Sequence, residues 1–370
     1  MASNNDLYLI DSHKLHYHPG RVAQWLEAGA DWEKQKKVYP IYVEISPVGA
    51  CNHRCTFCAV DYIGYKQIYL DKEVLLRNLT NMAANGVKSV MLAGEGEPLL
   101  YKGIGEVINH AKREGIDVSI TTNATPLTEK LVREALGSVT WLKASINAGT
   151  ASTYARVHGT READFDRVFA NLTKAVKLRA EFGWKTSLGA QAVLLPENFA
   201  EVFDLCDRCK DIGLDYVVIK PYSQHLSSTE TKQRGYDQFD YRSHYKLRDA
   251  LSVLGSDKFK VIFRINTMKH LEESERYYSK CYSTPNFWAY IMASGDVYGC
   301  SAYLLDDRFK YGNINEQSFS EVWEGEKRRL SAEYVRRELD IHECRKNCRM
   351  DNVNRYLWDL MNPTAHVNFI

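Results

Sequence analysis

Residues 41–46 alternate β-branched and polar side chains and stop at Ser46-Pro47, the pattern of a strand running into a loop. Further stretches of strand length follow at 87–93, 118–122, 141–146, 186–193, 216–220 and 260–264. Between them lie amphipathic stretches with apolar residues at helical spacing, among them 72–85, 128–136 and 166–182. Short punctuation such as Asn85-Gly86 and Glu114-Gly115 separates the two kinds. Strand then helix, repeated, predicts βα units around a parallel sheet that closes wholly or partly into a barrel. In such barrels the functional groups gather at the C-terminal ends of the strands.

Beyond residue 271 the rhythm changes. Residues 288–293 and 297–299 read as two short strands joined by Ser294-Gly295-Asp296, a hairpin signal rather than a βα unit. At the front, Val22, Trp25, Leu26 and Trp32 recur at helical spacing and predict a helix packed on the barrel. The pattern divides the chain into an N-terminal helical extension (1–38), a barrel (39–270) and a smaller C-terminal unit (271–370).

A chain of 370 residues, 45% apolar and 26% charged, is an ordinary globular composition and excludes a disordered, collagenous or coiled-coil protein. Forty-eight basic against forty-seven acidic residues leave a formal charge of +1, which argues against nucleic acid or anionic lipid as a partner. No apolar run approaches the roughly 18 residues of a membrane span, and residues 1–6 lack the basic and apolar regions of a signal peptide. A cytoplasmic protein is expected.

Nine cysteines therefore change the picture, because a reducing compartment turns clustered thiols toward metal or redox work. Cys51-Asn-His-Arg-Cys55-Thr-Phe-Cys58 sets three thiols on the loop after the first strand, one short of a tetrahedral set. A structural zinc site would have to recruit a fourth ligand, His53 being the nearest. An iron-sulfur cubane on three thiolates instead keeps one iron open for a ligand. Cys281, Cys300, Cys344 and Cys348 supply four thiols, enough for a closed cluster or a four-thiolate zinc site. Cys206 and Cys209 share a predicted helix face with Phe199, Val202, Phe203 and Ile212, the position of small core residues rather than of a redox pair. The basic runs Lys327-Arg-Arg and Arg336-Arg337 read as solvated helix faces, and His13, His16 and His18 are given no role.

The C-x3-C-x2-C spacing, the aromatic before its last cysteine and its place after the first strand resemble the radical SAM superfamily. After the second strand, Ala93-Gly94-Glu95-Gly96-Glu97-Pro98-Leu99-Leu100 is similar to that family's glycine-glycine-glutamate motif, with Glu95 inserted between the glycines. The resemblance implies a partial (β/α)6 TIM-like barrel over roughly 39–270. It implies a [4Fe-4S] cluster on Cys51, Cys55 and Cys58, and S-adenosylmethionine as the ligand of its open iron. Gly94, Glu95, Gly96 and Glu97 would meet the methionyl ammonium, Glu97 being the preferred acid because it precedes Pro98. Ser145 and Asn147 would meet the ribose and the methionyl carboxylate, and Lys220, Tyr222 and the 189–194 stretch the adenine. The later cysteines, with Gly312-Asn-Ile and Phe319-Ser-Glu-Val-Trp323, resemble the C-terminal twitch or SPASM extension. That likeness implies a small α+β domain with a second, auxiliary [4Fe-4S] cluster on Cys281, Cys300, Cys344 and Cys348. No cysteine follows Cys348, so the shorter twitch form is expected.

So read, the protein reductively cleaves S-adenosylmethionine and abstracts hydrogen from a small polar substrate such as a sugar, aminocyclitol or sugar nucleotide. The expected outcome is an oxidation or related remodelling, making the chain an oxidoreductase fed by a one-electron reductant such as flavodoxin or ferredoxin. Maturation of a ribosomal peptide ranks lower, since fewer than forty residues precede the first strand. Epimerisation would need a spare thiol facing the lumen. A zinc-stabilised binding protein without catalysis is the alternative of another class, and neutral charge disfavours an RNA-modifying enzyme.

Overall fold

The computed structural model describes residues 8–273 and 276–369; the hexapeptide weighed against a signal peptide lies outside them. Seven strands follow one another as β1 (Tyr42–Ile45), β2 (Ser89–Leu92), β3 (Asp117–Thr122), β4 (Val139–Ser145), β5 (Ser187–Leu194), β6 (Tyr216–Pro221) and β7 (Lys260–Phe263). Each is parallel to the one before it. Three more strands, β8 (Trp288–Ile291), β9 (Asp296–Tyr298) and β10 (Lys310–Asn313), continue the same sheet from its other side. The order is β10-β9-β8-β1-β2-β3-β4-β5-β6-β7, so β7 and β10 are open edges and the barrel is partial. The expected C-terminal hairpin is present, but β8 also pairs parallel with β1, Glu44 opposite Tyr290 and Ile45 opposite Ile291. The C-terminal segment thus extends the barrel sheet.

Helices cross over between the strands, and polar residues start them where the sequence changes period. Asp71 accepts from Val74 N–H ahead of helix Lys72–Ala84, Thr128 does so ahead of Glu129–Ala135, and Thr150 ahead of Ala151–His158. Leu75, Leu79 and Met82 on the first of these are fully buried among the outward faces of the strands, a burial contributing about 1.5–3 kcal/mol for each such side chain. Strand periodicity sends alternate residues the other way. On β4 to β6, Leu142, Ala144, Ala190, Val217 and Ile219 join the helix-side core. Trp141, Lys143, Ser145, Gln191, Val218 and Lys220 lie on the opposite, lumenal face.

Two packing expectations need correction. Val22 and Trp25 are buried, yet Leu26 is exposed, and the Trp25 ring meets Tyr282 and Phe287 of the C-terminal segment at 5.6 and 5.8 Å. That helix covers the join to the C-terminal segment. In the crossing from β5 to β6, helix Val202–Asp211 buries Val202, Leu205, Cys206 and Cys209, whereas Phe199 and Phe203 remain exposed. Phe199 belongs to a preceding 3-10 turn and leans on Phe239 and His244 instead. The foot of the barrel holds a contact no periodicity announced: Tyr8 and Ile10 pack against Tyr216, Val218 and Ile262, with the Tyr8 and Tyr216 rings 4.8 Å apart.

Candidate functional site

β1 ends at Ile45, and the chain turns at once into the loop that carries Cys51, Cys55 and Cys58. Ser46 fixes the departure by accepting from Glu95 N–H at 3.1 Å and donating to Val48 C=O at 3.2 Å. Burial raises all three thiols, Cys51 to about 11, and Cys58 adds repulsion at Cys51 and Cys55, as Cys51 does at Cys55. Among the nine cysteines none forms a disulfide. Three clustered thiols with no disulfide suit a cationic iron cluster, which offsets the charge that burial disfavours.

A histidine stands behind the middle thiol. His158, at the end of helix Ala151–His158, donates from Nε2 to Ile146 C=O at 2.7 Å, leaving Nδ1 to face Cys55 Sγ at 3.2 Å. His53 packs edge-on against His158 and Tyr154, with both ring nitrogens buried and unpartnered among the described residues. His53, Cys55 and His158 bring their ligand atoms within 4.8 Å of one another, a grouping that does not include Cys51 or Cys58. The structure therefore does not assemble His53 with the three thiols, as a four-ligand zinc site would require.

The Gly94–Glu97 stretch is moulded onto this loop. Gly94 has φ +117°, and a Cβ there would lie 2.6 Å from Ser46 Cβ; at Gly96 a Cβ would lie 2.2 Å from Ala50 C=O. Glu97 N–H donates to Ala50 C=O at 2.9 Å, locking the two loops together. The Glu97 carboxylate is buried and already accepts from Thr122 Oγ1 (2.5 Å), Asn123 N–H (2.7 Å) and Leu99 N–H (3.0 Å). Burial pushes its carboxyl up to about 7 against those donors. Glu95 is also buried, and its Oε1 accepts from Ala293 N–H at 2.7 Å, just past β8. Glu97 thus ties β2 to β3, and Glu95 ties β2 to the C-terminal hairpin.

The remaining expected cofactor residues divide between wall and lumen. Asn147 is wholly buried with φ +54°; its Oδ1 accepts from Val193 N–H at 2.7 Å and its C=O from Asn198 Nδ2 at 2.8 Å. Its side chain is spent on the wall. Ser145 Oγ accepts from Gln191 Nε2 at 2.7 Å, and Gln191 Oε1 accepts from Lys220 Nζ at 3.0 Å, forming a polar chain across β4, β5 and β6. Burial first, then the charges of Lys143, Arg264 and Arg345, lower the Lys220 ammonium to about 7. Tyr222 is buried, with its N–H donating to Tyr241 Oη at 2.8 Å and its own hydroxyl to Gln224 at 3.1 Å.

Cys281, Cys300, Cys344 and Cys348 also converge. Cys281 bears electrostatically on each of the other three, and Cys348 on Cys300. Tyr303 Oη lies 3.2 Å from Cys344 Sγ, and Asn354 Nδ2 donates to Cys281 Sγ at 3.5 Å. Burial raises Cys300, Cys344 and Cys348, the last to about 11. This set faces the barrel mouth: Ser223 Oγ donates to Asn347 C=O at 3.0 Å, and His225 Nε2 donates to Ser301 C=O at 3.0 Å. Arg349, one residue past Cys348, pairs with the buried Glu44 of β1 and lies over the Trp288 ring at 5.6 Å. Sequence reasoning missed Glu44 and Arg349; a buried acid inside a strand pattern was the available signal. Cys206 and Cys209 are wholly buried in the helix-side core, away from the lumen.

Residues 45–209 match the family described as the Radical SAM superfamily, and residues 281–349 match the SPASM iron-sulfur cluster-binding domain. The dTDP-4-amino-4,6-dideoxy-D-glucose ammonia-lyase of Streptomyces venezuelae is 30% identical over 184 residues, 48% of this chain and 38% of that protein. An S-adenosylmethionine-dependent nucleotide dehydratase of Lacinutrix mariniflava is 35% identical over 103 residues, 26% of this chain and 21% of its own length. The chain thus spans well under half of either curated relative. Streptococcus suis SuiB bound to S-adenosylmethionine superposes with a TM-score of 0.61 at 19% identity, covering 85% of this chain and 72% of that one, a likeness of fold. No helix among the described residues is long and apolar enough to cross a membrane.

Proposed function

This chain belongs to the radical SAM superfamily and carries a SPASM iron-sulfur domain, and from that premise we propose that it oxidises or otherwise remodels a small polar substrate held in the barrel lumen. The family binds S-adenosylmethionine with one [4Fe-4S] cluster, and the SPASM domain brings further iron-sulfur binding. Cys51, Cys55 and Cys58 would hold the first cluster, and Cys281, Cys300, Cys344 and Cys348 the auxiliary one. When bound, these groups supply a 5′-deoxyadenosyl radical able to take hydrogen from an unactivated carbon, and an acceptor for the electron left behind.

The chain's own residues do the positioning. The backbone of Gly94–Gly96 receives the methionyl end of the cofactor, in a shape Glu97 maintains by gripping Thr122, Asn123 and Leu99. The His158 main chain steadies the cysteine loop, its C=O accepting from Arg54 N–H at 3.0 Å. The polar chain Ser145–Gln191–Lys220 presents hydrogen-bonding groups to the lumen, where a polyol or glycosyl substrate needs them. Flavodoxin or ferredoxin would supply the reducing electron.

The observation that carries this reading is Arg345. It sits between Cys344 and Cys348, and its charge bears on Cys300, Cys348, Tyr62 beside the first cysteine loop, and Lys220 on β6. With His225, which stacks on Tyr62 at 4.7 Å and donates to Ser301 C=O beside Cys300, it supports a reading in which both thiol sets address one chamber. Four thiolates would saturate a cubane, so the auxiliary cluster would move an electron rather than bind substrate, which favours net oxidation. The names of the two curated relatives, a sugar-nucleotide lyase and a nucleotide dehydratase, support a nucleotide-linked substrate. The test is incubation of the reduced enzyme with a panel of nucleotide sugars and free aminocyclitols. 5′-Deoxyadenosine above background with a nucleotide sugar, together with a product two electrons more oxidised, is expected. Stimulation only by peptides would overturn the substrate class, and a redox-neutral product would overturn the oxidation.

A further inference from the structure

Lys143 is a lysine in the wrong place for a scaffold. It lies on the lumenal face of β4, two residues before Ser145 and opposite Gly189 of β5. Its ammonium has no hydrogen bond or ion pair among the described residues; only the Trp141 ring, 5.0 Å away, faces it. Lys220, two strands along on the same lumenal face, has its head held by Gln191, the β5 residue opposite Ser145. After burial, the charges acting on Lys143 are those of Arg264 and Lys14, and those acting on Lys220 are Lys143, Arg264 and Arg345, all of them cations. Among these, Arg264 is engaged by Asp11 at 3.4 Å. Arg345 donates to Ser301 Oγ at 3.3 Å, but its Nε is buried without a partner. Concentrating like charges in an enclosed space is costly unless an anion joins them.

We propose that Lys143, Lys220 and Arg345, with Gln191 between them, form a binding subsite for a phosphoryl oxyanion of the substrate, of the kind a nucleoside diphosphate carries. The proposal rests on the reading of the lumen as the substrate chamber and names the substrate's charged end. Three cations match the two to three negative charges of a diphosphate better than the single charge of a carboxylate. Guanidinium and ammonium groups together supply the forked and point-like donors that phosphoryl oxygens accept. The lowered ammoniums, Lys143 at about 8 and Lys220 at about 7, agree with this, because a bound dianion would restore both to full charge.

Calorimetry on the cluster-reconstituted enzyme saturated with S-adenosylmethionine tests it, with UDP, inorganic pyrophosphate and succinate as probes. UDP and pyrophosphate should bind with proton uptake at pH 8, and succinate should not bind. Lys143→Met should raise the Kd of both phosphoryl probes about 10- to 100-fold, leave that of S-adenosylmethionine unchanged, and Lys143→Arg should recover most of the loss. Unchanged UDP binding in a folded Lys143→Met enzyme would overturn the subsite. So would weakened S-adenosylmethionine binding with intact UDP binding, which would assign the cations to the cofactor. Succinate binding as tight as pyrophosphate would overturn the phosphoryl assignment. An enzyme that cleaves S-adenosylmethionine but ignores UDP refutes this inference alone, whereas one that cannot cleave it refutes the proposed function itself.

Discussion

The two thiol sets reach similar ends by opposite means. Cys51, Cys55 and Cys58 sit within eight residues of one loop, which neighbouring segments brace from outside: Glu95 N–H on Ser46 at its root, Glu97 N–H on Ala50, His158 behind Cys55. Cys281, Cys300, Cys344 and Cys348 come from separate segments brought together by long-range contacts: β8 on β1, Arg349 on Glu44, Asn354 on the Cys281 segment. A local site can lose its cluster and keep its fold. A site assembled at long range makes its cluster part of the stability of the segments it joins.

The sharpest way to break this contrast is to empty the second set. Cys344→Ala with Cys348→Ala should retain the first cluster and 5′-deoxyadenosine formation, while oxidised product falls to background and Tm drops well below that of a first-set variant. Product analysis by mass spectrometry with parallel calorimetry checks both halves. Normal oxidised product from a folded variant would reduce the auxiliary cluster to a structural element.

A smaller effect is expected at the acid that ties β2 to β3 beside the first site. Glu97→Gln places an NH2 among three donors, so it should cost about 1–3 kcal/mol of stability and weaken S-adenosylmethionine binding together. Denaturant unfolding and equilibrium binding measure the two. Weakened binding with unchanged stability would make Glu97 a direct ligand, and Glu95→Gln acting more strongly on binding would move that role to Glu95.

Smallest is the response of Lys143 to pH. Burial and neighbouring cations lower its folded value to about 8, against about 10.4 in an unfolded chain. Between those values the unfolded chain holds a proton the folded one lacks, so Lys143 makes stability rise with pH there. In the absence of anions, Lys143→Met should therefore melt higher than the parent near pH 7, with an advantage that shrinks toward pH 10. A constant difference in Tm across that range would contradict a half-buried, uncompensated cation.

Much of this was legible in the chain because it is local. The strand and helix periods announced β1 to β9, and the spacing of three cysteines on one loop announced the first site. What stayed hidden depends on contacts between distant segments. β10 centres on Gly312, which interrupts a strand pattern, and it forms because β9 offers an edge to pair with. Asn147 looked like a ligand on a strand end, yet its positive φ and the Val193 and Asn198 bonds show a residue shaping the wall. Lys143 carries no mark in the sequence beyond its place in a strand pattern, since lumenal and helix-side faces alternate with the same period of two. Only the register with β5, and Tyr8 closing the barrel foot, identify the enclosed side.

The central claim is that two separate clusters serve one chamber, the first by splitting S-adenosylmethionine. It is tested most directly by counting iron and 5′-deoxyadenosine in the anaerobically reconstituted protein and in its Cys51→Ala, Cys55→Ala, Cys58→Ala variant. The account predicts about eight irons in the parent and about four in a well-folded variant that forms no 5′-deoxyadenosine. A variant that still cleaves S-adenosylmethionine, or a parent that binds zinc and no iron, would contradict it.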